Sequence, residues 1–285
     1  MDIGVFSVIP SAAADPAIIA KRAEELGFES YWVPDHPIVP VGSEQTYPGT
    51  PPDGSSLSFL TRIPDPLIVL ARAGAVTTRL KLGTGVYLVP ERHPLISAQQ
   101  IASLDEATRG RFLLGIGAGW NRAECEVLGG NFDHRWGQTK DFIAAMRSLW
   151  QDDEAEYRGK YAEFSPVYCY PKPARQSGPP VLVGGIGSPY VYRRVAEWGD
   201  GWIPLIADMA AFHDGMEKLK RACEAVGRDM DTVDITVFGG PGQWRKGEEL
   251  AALERGGANR VTLWINAFET EEMLGDLDAL ASQVL

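Results

Sequence analysis

The residues best suited to chemistry begin with the pair Asp35-His36, which closes the segment Tyr31-Trp32-Val33-Pro34-Asp35-His36 at the end of a short β-forming run. Imidazole exchanges a proton near neutral pH and a neighbouring carboxylate can orient it, so acid-base chemistry at a strand end is one reading. An ordinary surface histidine is the other. His93, His134 and His213 stand at no metal-ligand spacing and read as solvated polar residues, so no metal site is expected. Three glycine-rich stretches follow. In Leu82-Gly83-Thr84-Gly85-Val86-Tyr87, glycine inside a strand marks either a kink or a close approach of main chain to a ligand. Leu114-Gly115-Ile116-Gly117-Ala118-Gly119-Trp120 has Gly-x-Gly-x-Gly spacing, which departs from the dinucleotide fingerprint, and no phosphate-binding Gly-x-x-x-x-Gly-Lys-Ser/Thr loop occurs. Val183-Gly184-Gly185-Ile186-Gly187-Ser188-Pro189 leaves a strand and opens a helix capped by Ser188. Main-chain N–H groups there, aided by the helix dipole, suit a phosphate; a purely structural turn is the other reading.

Such groups need a scaffold. Strand-like runs at residues 3–8, 30–33, 80–86, 112–116, 181–183, 201–204, 233–238 and 260–264 alternate with helix-like patterns at 18–26, 67–76, 95–107, 139–150, 190–198, 211–226, 248–255 and 271–285. Eight of each predict a closed (β/α)8 TIM barrel, whose reaction site lies at the carboxyl ends of the strands. Asp15-Pro16, Asp65-Pro66 and Ser188-Pro189 each set a capping side chain before a first-turn proline, and His93-Pro94 repeats the spacing with a poorer cap. The whole chain, 1–285, is expected to form one barrel domain with two insertions. Residues 37–63, rich in proline and glycine, read as a lid or binding loop, and residues 152–178 as a small hairpin excursion.

Composition narrows the partners. The chain has 285 residues, 45% hydrophobic, with 27 Lys+Arg against 38 Asp+Glu and a net charge of -11, which argues against a sequence-independent grip on nucleic acid or an anionic membrane. A small-molecule substrate is the expected partner. Cys125, Cys169 and Cys223 are odd in number and widely spaced, which suggests neither a disulfide framework nor a zinc site and fits a cytoplasmic setting. The N-terminal run carries Asp2 and no cation, so it reads as a buried strand and not as a signal peptide.

Taken in order, Gly27 to His36, Leu80 to Val86, Arg92-His93-Pro94, Gly110 to Trp120, Val181 to Gly185 and Gly199 to Trp202 resemble the luciferase-like monooxygenase superfamily, in its branch of oxidoreductases that use coenzyme F420. The resemblance implies a flavin-type ring across the barrel mouth beside Asp35 and His36, with His36 handling a proton and Asp35 as its neighbour. It implies a cis peptide at Gly85-Val86 against the ring, cofactor contacts from Gly117 and Gly119, and a phosphate held around Gly184, Gly185, Ile186, Gly187 and Ser188. The sugar-phosphate dehydrogenases of that branch carry a carboxylate after strand four, where Trp120 stands here and Glu124 is the nearest acid. That departure implies a more apolar substrate pocket, lined by Trp120 and Tyr87. The expected function is F420-dependent hydride transfer to or from an organic substrate. Alternatives are an FMN-dependent monooxygenase fed by a flavin reductase, a flavin-free barrel lyase or isomerase acting on a phosphorylated metabolite, and a non-catalytic carrier of the cofactor. Self-pairing as a homodimer is left open. Arg62, Arg92, Arg122 and Arg135 are the local cations available to offset the acidic balance near an anionic cofactor.

Overall fold

The structure is a computed structural model that describes residues 1–43, 58–185 and 188–285. Its strands are β1 (Asp2–Phe6), β2 (Ser30–Val33), β3 (Lys81–Thr84), β4 (Tyr87–Leu88), β5 (Phe112–Gly117), β6 (Ala155–Arg158), β7 (Glu163–Val167), β8 (Val181–Gly184), β9 (Gly201–Ile203), β10 (Asp234–Phe238) and β11 (Arg260–Trp264). The helices are α1 (Pro16–Leu26), α2 (Pro66–Gly74), α3 (Pro94–Ala107), α4 (Arg122–Val127), α5 (Arg135–Gln151), α6 (Pro189–Trp198), α7 (Met209–Val226), α8 (Gly247–Arg255) and α9 (Thr270–Val284).

Strands β3, β2, β1, β11, β10, β9, β8 and β5 pair in that order, and β3 returns to β5 through Leu82 opposite Phe112, closing a parallel barrel of eight strands. Each proline-led helix begins where its cap predicts. Asp15 accepts from the Ala17 amide, Asp65 from Leu67 and Ile68, and Ser188 from Tyr190. Differences from the sequence reading are local. The third strand stops at Thr84, the Gly85–Val86 peptide is cis, and the chain resumes as the two-residue β4. Helix α5 starts at Arg135, earlier than its apolar periodicity indicates, and the short α4 precedes it. The hairpin expected within residues 152–178 is β6 and β7, paired antiparallel.

Alternation along the strands separates two apolar layers. Val5, Tyr31, Leu114, Val183, Val237 and Leu263 face the helices and build the large outer core. Phe6, Trp32, Leu113, Leu182, Ile203 and Phe238 fill the barrel interior, with Phe59, Ile63, Val86 and Trp264 partly exposed above them. At the opposite end the buried Arg260 guanidinium donates to Glu29 (2.8 Å) and reaches Asp234 (3.2 Å). Burial alone would raise the Glu29 carboxyl; hydrogen bonding and the charge of Arg260, helped by Lys81, bring it down to about 2.

The inner layer leaves little slack under β2, the strand that carries Asp35 and His36. Trp32 is fully buried, and a Cβ added at Gly83 on the neighbouring strand would run into its ring. Gly83→Ala should therefore cost roughly 1–3 kcal/mol by overpacking and lower the thermal midpoint by roughly 3–10 °C. Gly247→Ala, where a Cβ meets nothing within 4 Å, should leave the midpoint unchanged in the same calorimetric comparison.

Candidate functional site at the barrel mouth

Beyond β2 the chain turns through Pro34 and sets two polar side chains in different directions. The Asp35 carboxylate, 1% exposed, takes a two-pronged pair of bonds from Arg92 (2.6 and 2.8 Å) and accepts from the Leu88 amide (2.9 Å). Its partners are thus fixed on the segment after β4. The expectation that Asp35 orients His36 is corrected on that ground: a carboxylate already bonded by a guanidinium fork and an amide is turned away from the imidazole. Glu124 does the orienting. His36 Nδ1 lies 2.8 Å from Glu124 Oε2, and the Trp120 indole N–H points at His36 Nε2 from 3.2 Å. A carboxylate only accepts and an indole N–H only donates, so these two neighbours together select the neutral tautomer with hydrogen on Nδ1 and a lone pair on Nε2. The Trp120 and His36 rings meet edge to face at 5.4 Å.

Glu124 is fully buried in the first turn of α4, whose cap Asn121 accepts from the Ala123 and Glu124 amides and donates to the Ser43 hydroxyl. Glu124 Oε1 has no partner among the described residues, nor has either oxygen of the buried Glu91. Gly119 is the reason Glu91 fits. It holds φ of +79°, and a Cβ there would stand 2.6 Å from Glu91 Oε1. Burial, then the charges of Glu124 and Asp35, push the Glu91 carboxyl up to about 9, so it keeps its proton at neutral pH. Glu124 behind His36 and the protonated Glu91 near Glu124 make a cluster of buried carboxyls that can store a proton out of water.

The remaining expected residues divide. Gly85 and Val86 are half-exposed at the mouth, and Val86 packs where Cβ atoms at Gly117 and Gly184 would strike it. The carbonyl of Gly119 accepts from Arg135 Nε at 3.1 Å. Gly185 is exposed with φ of +140°, but its amide donates to the Ile203 carbonyl and its own carbonyl accepts from the Trp202 indole. Its expected role as a phosphate donor is corrected accordingly, because that N–H is already bonded; what it offers is bare main chain. Ser188 caps α6, while Ile186 and Gly187 lie outside the described residues. Tyr87 is also corrected. It is fully buried, bonds Ser97 through its hydroxyl and lies under the Arg92 guanidinium at 4.4 Å, facing the helices where β4 alternation sends it, so it does not line the mouth. The sequence reading named Glu124 without its role and missed Glu91. Asn121-x-x-Glu124 resembles a helix start, and a local signal of that kind conceals a partner far along the chain.

Other aromatic pairs stand apart from His36 in the contacts of the described residues. Phe59 and Phe268 stack at 5.7 Å, and Trp264 stands over Phe6 at 4.7 Å. A cavity of about 420 Å³ lies instead on the barrel flank, between Pro94, Leu128, Phe142 and Tyr161 of the hairpin insertion, and neither His36 nor Glu124 lines it. Among the described residues no group of His, Cys, Asp and Glu could hold a metal ion, and no helix is long and apolar enough to cross a membrane.

Residues 1–262 match the family model for luciferase-like monooxygenases. The chain belongs to that family. An uncharacterized protein of Mycobacterium tuberculosis is 34% identical to this luciferase-like chain over 229 residues, 80% of each. The F420-dependent glucose-6-phosphate dehydrogenase of Amycolatopsis mediterranei is 29% identical over 224 residues, 76% of this chain and 62% of that enzyme. Among solved structures, an F420-dependent secondary alcohol dehydrogenase in complex with an F420-acetone adduct superposes with a TM-score of 0.77 at 18% identity, covering 99% of this chain and 98% of that one, a likeness of fold.

The proton on Glu91 has a measurable consequence. A carboxyl raised from 4.5 to about 9 by folding contributes stability that is complete below about 4.5 and is lost as the pH rises through about 9. Glu91→Gln, which mimics the neutral form, should raise the thermal midpoint more at pH 9 than at pH 5. Equal midpoint changes at both ends of that range would show Glu91 to be ionised in the fold.

Proposed function

We propose that this luciferase-like protein is an oxidoreductase that binds coenzyme F420 at the barrel mouth and moves a hydride between its ring and a small, apolar organic alcohol or carbonyl compound. The observation that carries this reading is the His36–Glu124 bond at 2.8 Å, with the other ring nitrogen presenting a lone pair toward the mouth side and bonded there by Trp120. Interconverting an alcohol and a carbonyl requires a proton to leave or reach oxygen as hydride leaves or reaches carbon. An imidazole backed by a buried carboxylate supplies that.

The residues present fit a planar ring with a phosphate tail. The half-exposed Gly85–Val86 peptide packs on the inner aromatic layer of Phe6 and Phe238, and these residues would hold the ring. The ends of β5 and β8, adjacent in the barrel, carry Gly117 and Gly184 under Val86, with the half-buried Gly119 and the exposed Gly185 beyond them. When bound, the deazaflavin would supply hydride donation and acceptance. The chain's part is to exclude water with Trp120, Phe59 and Phe268, to hold the substrate oxygen near His36 Nε2, and to take its proton there. Trp120 must give up its bond to Nε2 as substrate oxygen takes its place. Glu124 steadies the imidazolium that forms. The aromatic rim and Trp120 in place of an acid favour an apolar substrate over a sugar phosphate. The family's monooxygenases support a second reading, in which reduced FMN from a partner reductase occupies the same mouth.

Titration of the purified protein with F420 and with FMN, followed by ligand fluorescence, separates these readings. Saturable F420 binding with weak or absent FMN binding is expected; FMN binding alone would transfer the case to the monooxygenase. With F420 and a panel of secondary alcohols and ketones, His36→Ala should lower kcat by a factor of roughly 100 to 10,000 with the circular dichroism spectrum preserved. Glu124→Gln should lower it less, because the imidazole would keep a hydrogen-bonding neighbour without its charge.

A further inference from the structure

The cavity of about 420 Å³ on the barrel flank takes no part in the chemistry above, and its volume is that of a pocket for a small organic molecule. Pro94 and Leu95, the first residues of α3, form one wall, and Gln138 and Phe142 of α5 form another. Leu128 and Tyr161 close the sides. Two helix starts therefore border one space, and the N-terminal end of a helix carries partial positive charge. No side chain caps the start of α5.

Gln138 supplies the hydrogen-bonding group. It is 8% exposed, and its oxygen accepts from the Asn131 amide at 3.0 Å, which fixes the carboxamide. Its nitrogen carries two hydrogens with no acceptor among the described residues, and a buried donor in that position costs free energy until an acceptor arrives. His93 adds a second donor. Its Nδ1 accepts from the Leu95 amide at 3.3 Å, so the neutral ring carries its hydrogen on Nε2. Arg92 lines the same wall with its fork spent on Asp35, and Glu163, the acid of the lining, is exposed at the rim 3.8 Å from Arg158. Free donors between two positive helix ends suit a carboxylate. Leu128, Phe142 and Pro94 suit a hydrocarbon body, which a bare phosphate or sulfate lacks.

The cavity also touches the segments that hold the mouth. Pro90 and Arg92 lie on its wall on either side of Glu91, Arg92 grips Asp35, and Leu128 follows directly on α4, which carries Glu124. None of the lining residues belongs to the glycine turns after β5 and β8, so the occupant is distinct from the cofactor. We propose that this cavity is a regulatory site for a small organic carboxylate, its charged end at Gln138 and its apolar body on Leu128 and Phe142, and that occupancy is transmitted to His36 through the Pro90–Arg92 segment.

The test needs no cofactor. Benzoate and hexanoate serve as probes, benzamide and benzyl alcohol as uncharged counterparts, and the readouts are the thermal midpoint and the imidazole NMR signals of the four histidines of the full chain. Saturating benzoate should raise the midpoint and shift the His93 and His36 signals while leaving His213, on α7, in place. Benzamide should do neither. Gln138→Leu should weaken benzoate binding roughly ten- to a hundredfold, through the loss of a hydrogen bond to a charged group. Leu128→Trp, which fills the space from a half-buried position, should abolish both the midpoint rise and the His36 shift, and it decides the matter should Gln138→Leu fail to fold. A parent that responds to neither carboxylate, or equally to benzamide, overturns the proposal. A His36 shift that survives Leu128→Trp overturns it by placing benzoate at the mouth, and a His93 shift without one at His36 overturns the regulatory role.

Discussion

The mouth of this barrel is organised around one buried ion pair. Arg92 grips both oxygens of Asp35, the Leu88 amide adds a third bond, and the same guanidinium covers Tyr87 and reaches Asp65 at the cap of α2. Three parts of the chain are thereby fastened to the end of β2. Breaking a buried pair by removing one member typically costs about 3–5 kcal/mol, because the other charge remains in a poor solvent. The pair therefore fixes the turn after β2. With Asp35 committed to one side, the following side chain, His36, is directed across the mouth to Glu124.

The two ends of the barrel use charge differently. At the closed end, Arg260 satisfies Glu29 and Asp234 in a compact network that holds the first strands in register. At the open end, polar groups are left partly unmatched. Glu91 has no partner among the described residues, Glu124 has one oxygen bonded, and Arg135 donates only to carbonyls. Matched charges stabilise; polar atoms left without a partner are available to a substrate or ligand. This asymmetry accords with a fold whose reactions occur where the strands end.

Proton handling here depends on which carboxyl is ionised. Glu91, Glu124 and Asp35 lie close enough to influence one another, and a single guanidinium, that of Arg92, answers Asp35 directly. Glu91 keeps its proton because burial and two like charges oppose losing it. Glu124 stands behind the imidazole, and its position under His36 Nδ1 turns the other nitrogen toward Trp120 and the mouth.

Alternation of apolar residues and proline-led caps located all eight barrel strands and eight of the helices, though not the short α4, because strand periodicity and capping are short-range physics. The same local signals placed His36, the Gly85–Val86 segment and the glycine turns at strand ends. They could not say which carboxylate faces His36, since Asp35 is next to it in the chain and Glu124 is 88 residues away. Nor could they send Tyr87 outward, which followed from the break at Gly85–Val86 and the new register of β4. Sequence determined the elements and the chemical types at their ends. Barrel closure decided the partners, because a charge selects its neighbour by distance through space, and those distances exist only once β3 has met β5.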